Sequence, residues 1–322
     1  MKGTILFLRH SLKRIRRPIL PILPSKFTEQ CHLDKIEETC HSTAMKLAPA
    51  EIAAFQKQIK DFYAAQGRMF AWRQTRDPYA ILVSEIMLQQ TQTGRVAEKY
   101  DEWLRRFPDA ETLAKAPLAD VLSAWNGLGY NRRAKYLQQA CAAVCAQYGG
   151  TFPKDKERLD ALPGVGPYTA GAVATFAYNS PEVFIETNIR SVFIYYFFTS
   201  RGVPAEQKTA DDELLPLIAQ TLDRDNPREW YYALMDYGAE LKKSVKHITQ
   251  QGKAYSKQSK FKGSFREARG AVLRQLTQHQ KASVYQIMKE EGIDEERVVA
   301  AANKLMEENM IYRMDDYFYF VS

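Results

Sequence analysis

LPGVGPYTAGAVATFAYNSPEVFIETNIR, residues 162–190, joins two segments of helical patterning through a turn with glycine at positions 164 and 166. Gly164 and Gly166 let the backbone turn tightly with no side chain projecting outward. A phosphate can come close to such a turn, because the amides at the N-terminus of the helix that begins near Pro167 face outward with the helix dipole behind them. Further along, Glu186 precedes the apolar run Ile189 to Phe198. Standing alone, a G-x-G of this kind reads as an ordinary tight turn between helices.

It does not stand alone. SEIMLQQTQ runs from Ser84 to Gln92, WNGLGY from Trp125 to Tyr130 and ALMDYGA from Ala233 to Ala239. In order and spacing, these stretches and LPGVGPYTAGA resemble the helix-hairpin-helix base-excision DNA glycosylases, and within them the adenine-specific (MutY-like) branch, over residues 46–245. The resemblance implies an all-α, two-lobed fold. One lobe is a six-helix barrel at about residues 71–178; the other joins residues 45–70 to residues 179–245, with the active site in the cleft between them.

Hydrolysing an N-glycosidic bond calls for a protonated leaving base and for relief of the positive charge that develops on the sugar, tasks suited to one protonated and one ionised carboxyl group. Glu85 lies among Ile81, Leu82, Val83, Ile86, Met87 and Leu88. A carboxylate set so deeply in an apolar helical pattern is paired, protonated or aimed into a cavity, unless it reaches solvent from the helix face. Beside the Gln89-Gln90 that follows, Glu85 is expected to have a raised pKa. It is the candidate general acid at adenine N7, later helping to activate the water. Glu186, near a helix N-terminus whose dipole favours its anion, is the candidate stabiliser of the oxocarbenium-like sugar. The family carries Asp here, and the extra methylene of Glu changes the reach by about 1 Å, enough to matter where geometry carries catalysis.

Lyase chemistry needs an amine nucleophile. Where bifunctional relatives carry that Lys, this chain has Tyr168, so a monofunctional enzyme that leaves an abasic site is expected; Tyr168 itself reads as a contact to the flipped nucleotide or as a core aromatic. The target base must leave the stack to be reached. The resemblance implies that Gln89, Gln90 and Tyr130 fill or wedge the vacated space. It also implies that Trp72, Arg73, Asn188 and Asp236 line the pocket or orient the carboxylates. Tyr130, at the tip of a glycine-freed loop, is expected to be exposed, as an aromatic that wedges into a base stack must be. Asp236 also reads as a plain helix-face acid. A monovalent cation at the carbonyls of Leu162 and Val165, tethering a DNA phosphate, is a further expectation.

After Leu241 the chain departs from the family, whose members usually carry a four-cysteine run that holds an iron-sulfur cluster. The sequence from Lys242 to Arg269 has no cysteine, so no such cluster is expected there. That segment holds nine Lys/Arg against the single acid Glu267, a balance of +8. Charge runs are usually solvated faces, but Tyr255 and Phe261 interleave this one, and Lys253, Lys257, Lys260 and Lys262 read as phosphate contacts. Residues 263–322 read as a separate unit, three helices and a hairpin with Asp315-Asp316 in its turn, resembling a winged helix. Its acidic positions Asp294 to Glu296 and Glu307-Glu308 leave its partner, DNA or protein, open. A domain reading oxidised guanine is not recognisable in so short a unit.

The chain has 322 residues and is 45% hydrophobic, ample for a buried core and two or three domains. Of the formal charge of +7, residues 1–44 supply +4 through eight Lys/Arg and four Asp/Glu, so net charge argues only weakly for nucleic acid. That segment reads as a targeting peptide without a cleavage site or, preferably, as a disordered or spurious extension before Met45. The glycosylase core then runs over residues 45–262. No window is apolar enough to span a membrane. Cys31, Cys40, Cys141 and Cys145 form neither a disulfide scaffold nor zinc knuckles. Cys141 and Cys145 read as small core residues on a helix.

The composite expectation is a monomer acting on mismatched or damaged double-stranded DNA, cytoplasmic and nucleoid-associated. Two alternatives keep the scaffold: a glycosylase for thymine or uracil opposite guanine, and a lesion-binding protein without turnover.

Overall fold

A computed structural model describes residues 45–321, and the expectations for residues 1–44 lie outside the described residues. The first helix, α1 (Pro49–Gln66), is followed by α2 (Pro78–Leu88), whose residues from Tyr79 to Met87 are all buried. A helix apolar on every face belongs in the middle of a core. Around α2 stand α3 (Thr93–Arg106), α4 (Ala110–Lys115), α5 (Leu118–Ala124), α6 (Arg132–Tyr148), α7 (Lys156–Asp160) and α8 (Pro167–Tyr178). Pro117 separates α4 from α5, as a residue without an amide proton does. Trp103 and Trp125 meet edge to face at 5.3 Å in this lobe, and Cys141 is buried with them.

The second lobe packs α1 against α9 (Thr187–Phe197), α10 (Asp211–Thr221) and α11 (Pro227–Ser244). Phe55 of α1 is its centre, with the rings of Phe193, Tyr196, Phe197 and Trp230 at 5.0–5.8 Å. Close approach of α9 and α11 depends on Gly238 of the ALMDYGA stretch, where a Cβ would lie 2.4 Å from the carbonyl oxygen of Asn188. Helix α10 begins only at Asp211. The segment before it spends its backbone groups elsewhere: the Thr209 amide donates to Gln251 O at 2.8 Å, and the Lys253 amide donates to Thr209 O at 2.9 Å.

The C-terminal unit comprises α12 (Phe265–His279), β1 (Lys281–Ser283), α13 (Val284–Glu291), α14 (Glu295–Glu307), β2 (Ile311–Met314) and β3 (Tyr317–Phe320). The expected hairpin is present, with Tyr312 opposite Tyr319, but β1 adds itself to β3 with Ala282 opposite Phe318. Three residues are too few to show an alternation, so this strand leaves no local signal. The unit rests on the first lobe. Lys135 of α6 donates to the carbonyls of Glu308 and Asn309, and Arg132 lies 3.7 Å from the Glu308 carboxylate. No helix among the described residues is long and apolar enough to cross a membrane.

Candidate active site

Between the two lobes lies a cavity of about 480 Å³ whose wall includes Trp72, Arg73, Glu85, Gln89, Gln90, Tyr168, Glu186 and Asn188. Residues remote from one another in sequence are thus brought to one chamber, within the size range of about 300–1,000 Å³ common for ligand sites.

Glu85 projects from the third turn of α2, a helix with no polar face, and is only 5% exposed. Burial pushes its carboxyl group up to about 7, against the Tyr168 hydroxyl, which donates to Oε2 at 2.8 Å, and with Glu186 adding to the rise. Tyr168 sits in the first turn of α8 because the hairpin ends there. Its ring meets Phe184 edge to face at 5.7 Å.

Glu186 is held in a different way. It is the N-cap of α9, and Oε1 accepts from the amides of Asn188 at 2.7 Å and Ile189 at 2.9 Å, while Asn188 Nδ2 donates to Oε2 at 3.0 Å. The longer side chain therefore folds back onto its own helix. Burial raises this carboxyl group too, and the two amides followed by Lys242 and Arg190 oppose that rise. The expectation of a plainly favoured anion is corrected: desolvation outweighs the donors, and the Glu186 carboxyl lies above its ordinary value. Arg190 is already paired with Asp211 at 2.6 and 2.8 Å, whereas Lys242 lines the cavity and has no ion pair among the described residues.

Arg73 and Trp72 form another part of the wall. Trp72 stacks on Phe70 at 4.8 Å, and the Arg73 guanidinium lies over the Tyr232 ring at 4.5 Å. Asp236, expected to line the pocket or orient the carboxylates, does not reach the cavity. It is buried and accepts both Nη groups of Arg73 at 2.9 and 2.8 Å, together with the amide and Nε of Arg68. Its effect on the site is exerted through those arginines. Two buried polar atoms of wall residues, Arg73 Nε and Asn188 Oδ1, have no hydrogen-bond partner among the described residues. Buried groups of that kind are rare, and here they belong to residues facing a chamber of polar-ligand size.

The hairpin lies outside the cavity wall. Gly164 has φ +73°, and a Cβ there would lie 2.4 Å from Cβ of Tyr136, so both conformation and contact demand glycine. Gly166, expected to serve the same end, has an extended backbone, and a Cβ there would meet nothing within 4 Å. The open space there faces the start of α8, which has no side-chain cap, whereas Asp77, Asp109, Asp155 and Glu186 cap α2, α4, α7 and α9. The carbonyl of Leu162 already accepts the Val165 amide at 3.1 Å, which leaves one lone pair.

Tyr130 departs most from expectation. It is half-buried rather than exposed, with φ +49°, and its hydroxyl accepts from Gln258 Nε2 and from Arg266 Nη1. Lys253, Lys257, Lys260 and Lys262 are exposed and have no ion pair among the described residues. Lys242, counted with them in sequence, instead ends α11 inside the cavity, where burial lowers its ammonium pKa and Glu186 opposes the change.

Sequence reasoning missed Lys242 as a wall residue, together with Arg68, Phe70 and Tyr232. It also missed Arg133, whose Nη1 donates to the carbonyls of Ile86, Met87 and Gln89 and whose Nη2 donates to Thr91 Oγ1 and to the carbonyls of Leu128 and Gly129. Arg133 binds the end of α2 to the WNGLGY loop. Its only sequence signal is a basic residue at the start of a helix, where the dipole disfavours it.

Residues 83–216 match the family model described as HhH-GPD superfamily base excision DNA repair protein. The chain is 39% identical over 181 residues to the adenine DNA glycosylase of Mycobacterium tuberculosis, covering 55% of this chain and 58% of that protein. It is 32% identical over 187 residues to the thymine/uracil-DNA glycosylase of Methanothermobacter thermautotrophicus, covering 58% of this chain and 83% of that protein. A solved thermostable thymine-DNA glycosylase superposes with a TM-score of 0.52 at 29% identity, over 58% of this chain and 86% of the other. The chain belongs to the HhH-GPD superfamily of base-excision DNA repair proteins. Its match spans 58% of the mycobacterial adenine glycosylase and 36% of the human one.

Proposed function

We propose that this protein is a monofunctional DNA glycosylase that hydrolyses the N-glycosidic bond of a flipped, mispaired base, adenine foremost, in base-excision repair. The observation that carries this reading is a buried Glu85 carboxyl group held up to about 7 and facing the same cavity as Glu186. An acid with that pKa can hold its proton near neutral pH and give it to the leaving base. Glu186, fixed by amides of its own helix, supplies negative charge against the cationic sugar without reorganising, and Glu85, once ionised, draws a proton from the attacking water. Tyr168 offers no amine for a Schiff base, and the product is an abasic site.

Double-stranded DNA with a mismatch or lesion is the proposed partner of a monomeric protein. The uncapped start of α8 and the exposed lysines 253, 257, 260 and 262 supply donors and charge for its phosphates. A monovalent cation on the remaining lone pairs of the Leu162 and Val165 carbonyls belongs to the same reading, and no iron-sulfur cluster does. Replacing the four lysines by glutamine lowers the slope of log K against log salt, by about 0.9 for each phosphate left without its lysine; an unaltered slope removes that segment from the interface.

A second reading, excision of thymine or uracil opposite guanine, is favoured by the likeness to the thymine/uracil-DNA glycosylase across 83% of that protein. Defined duplexes scored for alkali-labile sites separate the readings. Cleavage at adenine opposite 8-oxoguanine or guanine supports the first, cleavage at a pyrimidine opposite guanine the second, and binding without product overturns both in favour of a lesion-binding protein.

A further inference from the structure

The WNGLGY loop is held from two sides. From the first lobe, Trp125 Nε1 donates to Gly129 O at 3.0 Å, and the Arg133 guanidinium lies 5.6 Å from the centre of the Tyr130 ring. From the C-terminal side, the Arg266 guanidinium lies 5.3 Å from the same ring centre and donates to the Tyr130 hydroxyl at 3.2 Å, with Gln258 donating to that oxygen as well. Arg266 is itself fastened, its Nη2 donating to Ser259 O at 2.7 Å. It belongs to the first turn of α12, and α12 packs against α5, the helix that leads into the loop. At the other end of the unit, Glu308 pairs with Arg269 at 2.6 Å while its backbone carbonyl accepts from Lys135 of the first lobe.

A tyrosine with a left-handed backbone is costly to hold, and a free loop tip does not hold one. Here the cation-aromatic contacts and the hydrogen bonds to the hydroxyl supply that restraint. Two of the donors, Gln258 and Arg266, lie more than a hundred residues away, in the part of the chain that departs from the family pattern.

We propose that Gln258 and Arg266 are positioning residues for Tyr130: the C-terminal arm sets the pose of the aromatic that enters the base stack. The C-terminal unit thus acts on base extrusion through one side chain of the first lobe and needs no DNA contact of its own. This inference rests on the reading of Tyr130 as the wedge.

A double-mutant cycle on the full-length protein tests it, read by single-turnover excision and by the fluorescence of 2-aminopurine next to the target base. Tyr130→Phe removes the shared acceptor, and Arg266→Ala one donor to it. Each single change is expected to slow extrusion by about 3- to 10-fold, the scale of one hydrogen bond. The double variant is expected to fall short of the product of the two single effects, because the Arg266–hydroxyl bond is lost only once, while the Gln258 bond and the Arg266–ring contact are each lost to one change alone. Multiplying effects would overturn the proposal, since Arg266 would then act independently of the hydroxyl. Arg266→Lys separates charge from pose: full activity would assign Arg266 to phosphate attraction and also overturn it, whereas a loss close to that of Arg266→Ala supports it. Tyr130→Ala tests the underlying reading: unchanged extrusion there shows that Tyr130 is not the wedge, an outcome distinct from additivity between Tyr130 and Arg266.

Discussion

Glu85 and Glu186 share a cavity, yet the chain treats them in opposite ways. Glu85 stands in the middle of an apolar helix, and one phenolic hydroxyl donates to it. Glu186 stands at the mouth of a helix, where two amides and an amide side chain donate to it. Desolvation raises both carboxyl groups, and the donors that oppose it are more numerous at Glu186 than at Glu85. The same residue type thus serves as a proton donor in one place and as a fixed charge in the other, and position within a helix decides which.

The largest effect expected from this contrast is at Glu85. Glu85→Gln keeps the shape but has no acidic proton to give, so single-turnover excision falls by about 10²–10⁴-fold, the range for a missing general acid, while duplex affinity stays within a factor of about two to three. Retained excision would remove the distinction between the two carboxyls. Next in size, Glu186→Gln retains an oxygen to cap α9 but loses the charge, and about 10²-fold of the rate goes with it. A variant that excises normally would leave Glu186 as a structural cap alone.

The contrast is legible in part from sequence. The apolar run around Glu85 and the carboxylate preceding Ile189 are local patterns, and from them follow a raised acid in one helix and a helix-end carboxylate in the other. The two-lobed helical arrangement is what the resemblance carried by separated stretches of the sequence implies. What escapes are pairings that only tertiary structure makes. Arg133 has no local pattern to mark it, and its role appears only where six acceptors from the end of α2, the residues just after it and the WNGLGY loop converge on it. Lys242 reads as the first member of a charge run, because nothing local shows that the last turn of α11 ends inside the cavity. The glycine-rich loop of Tyr130 suggests freedom and exposure, whereas residues far along the chain cover it.

Lys242 sharpens the comparison from the other side. Its charge helps to keep Glu186 ionised against the cost of burial. In Lys242→Met the Glu186 pKa rises, so the acid-side limb of the pH–rate profile moves to higher pH while the alkaline limb stays in place. Movement of the alkaline limb instead would link Lys242 to Glu85.

The smallest effect is on stability. A carboxyl group raised in the folded state favours folding below its unfolded pKa, and that contribution is lost as pH rises toward about 7. Glu85→Gln has no such loss. Its Tm is therefore expected to exceed that of the natural protein at pH 8 by a few degrees, about 2–4 °C per kcal/mol, and to match it at pH 4. Equal melting at both pH values would mean that Glu85 carries no desolvation cost.

The most direct test is an infrared titration of the protonated-carboxyl band, recorded as the difference between the natural protein and Glu85→Gln. The account expects a band that persists at pH 6 and disappears with a midpoint of about 7. A band gone by pH 5, with the midpoint of an ordinary exposed glutamate, would contradict it.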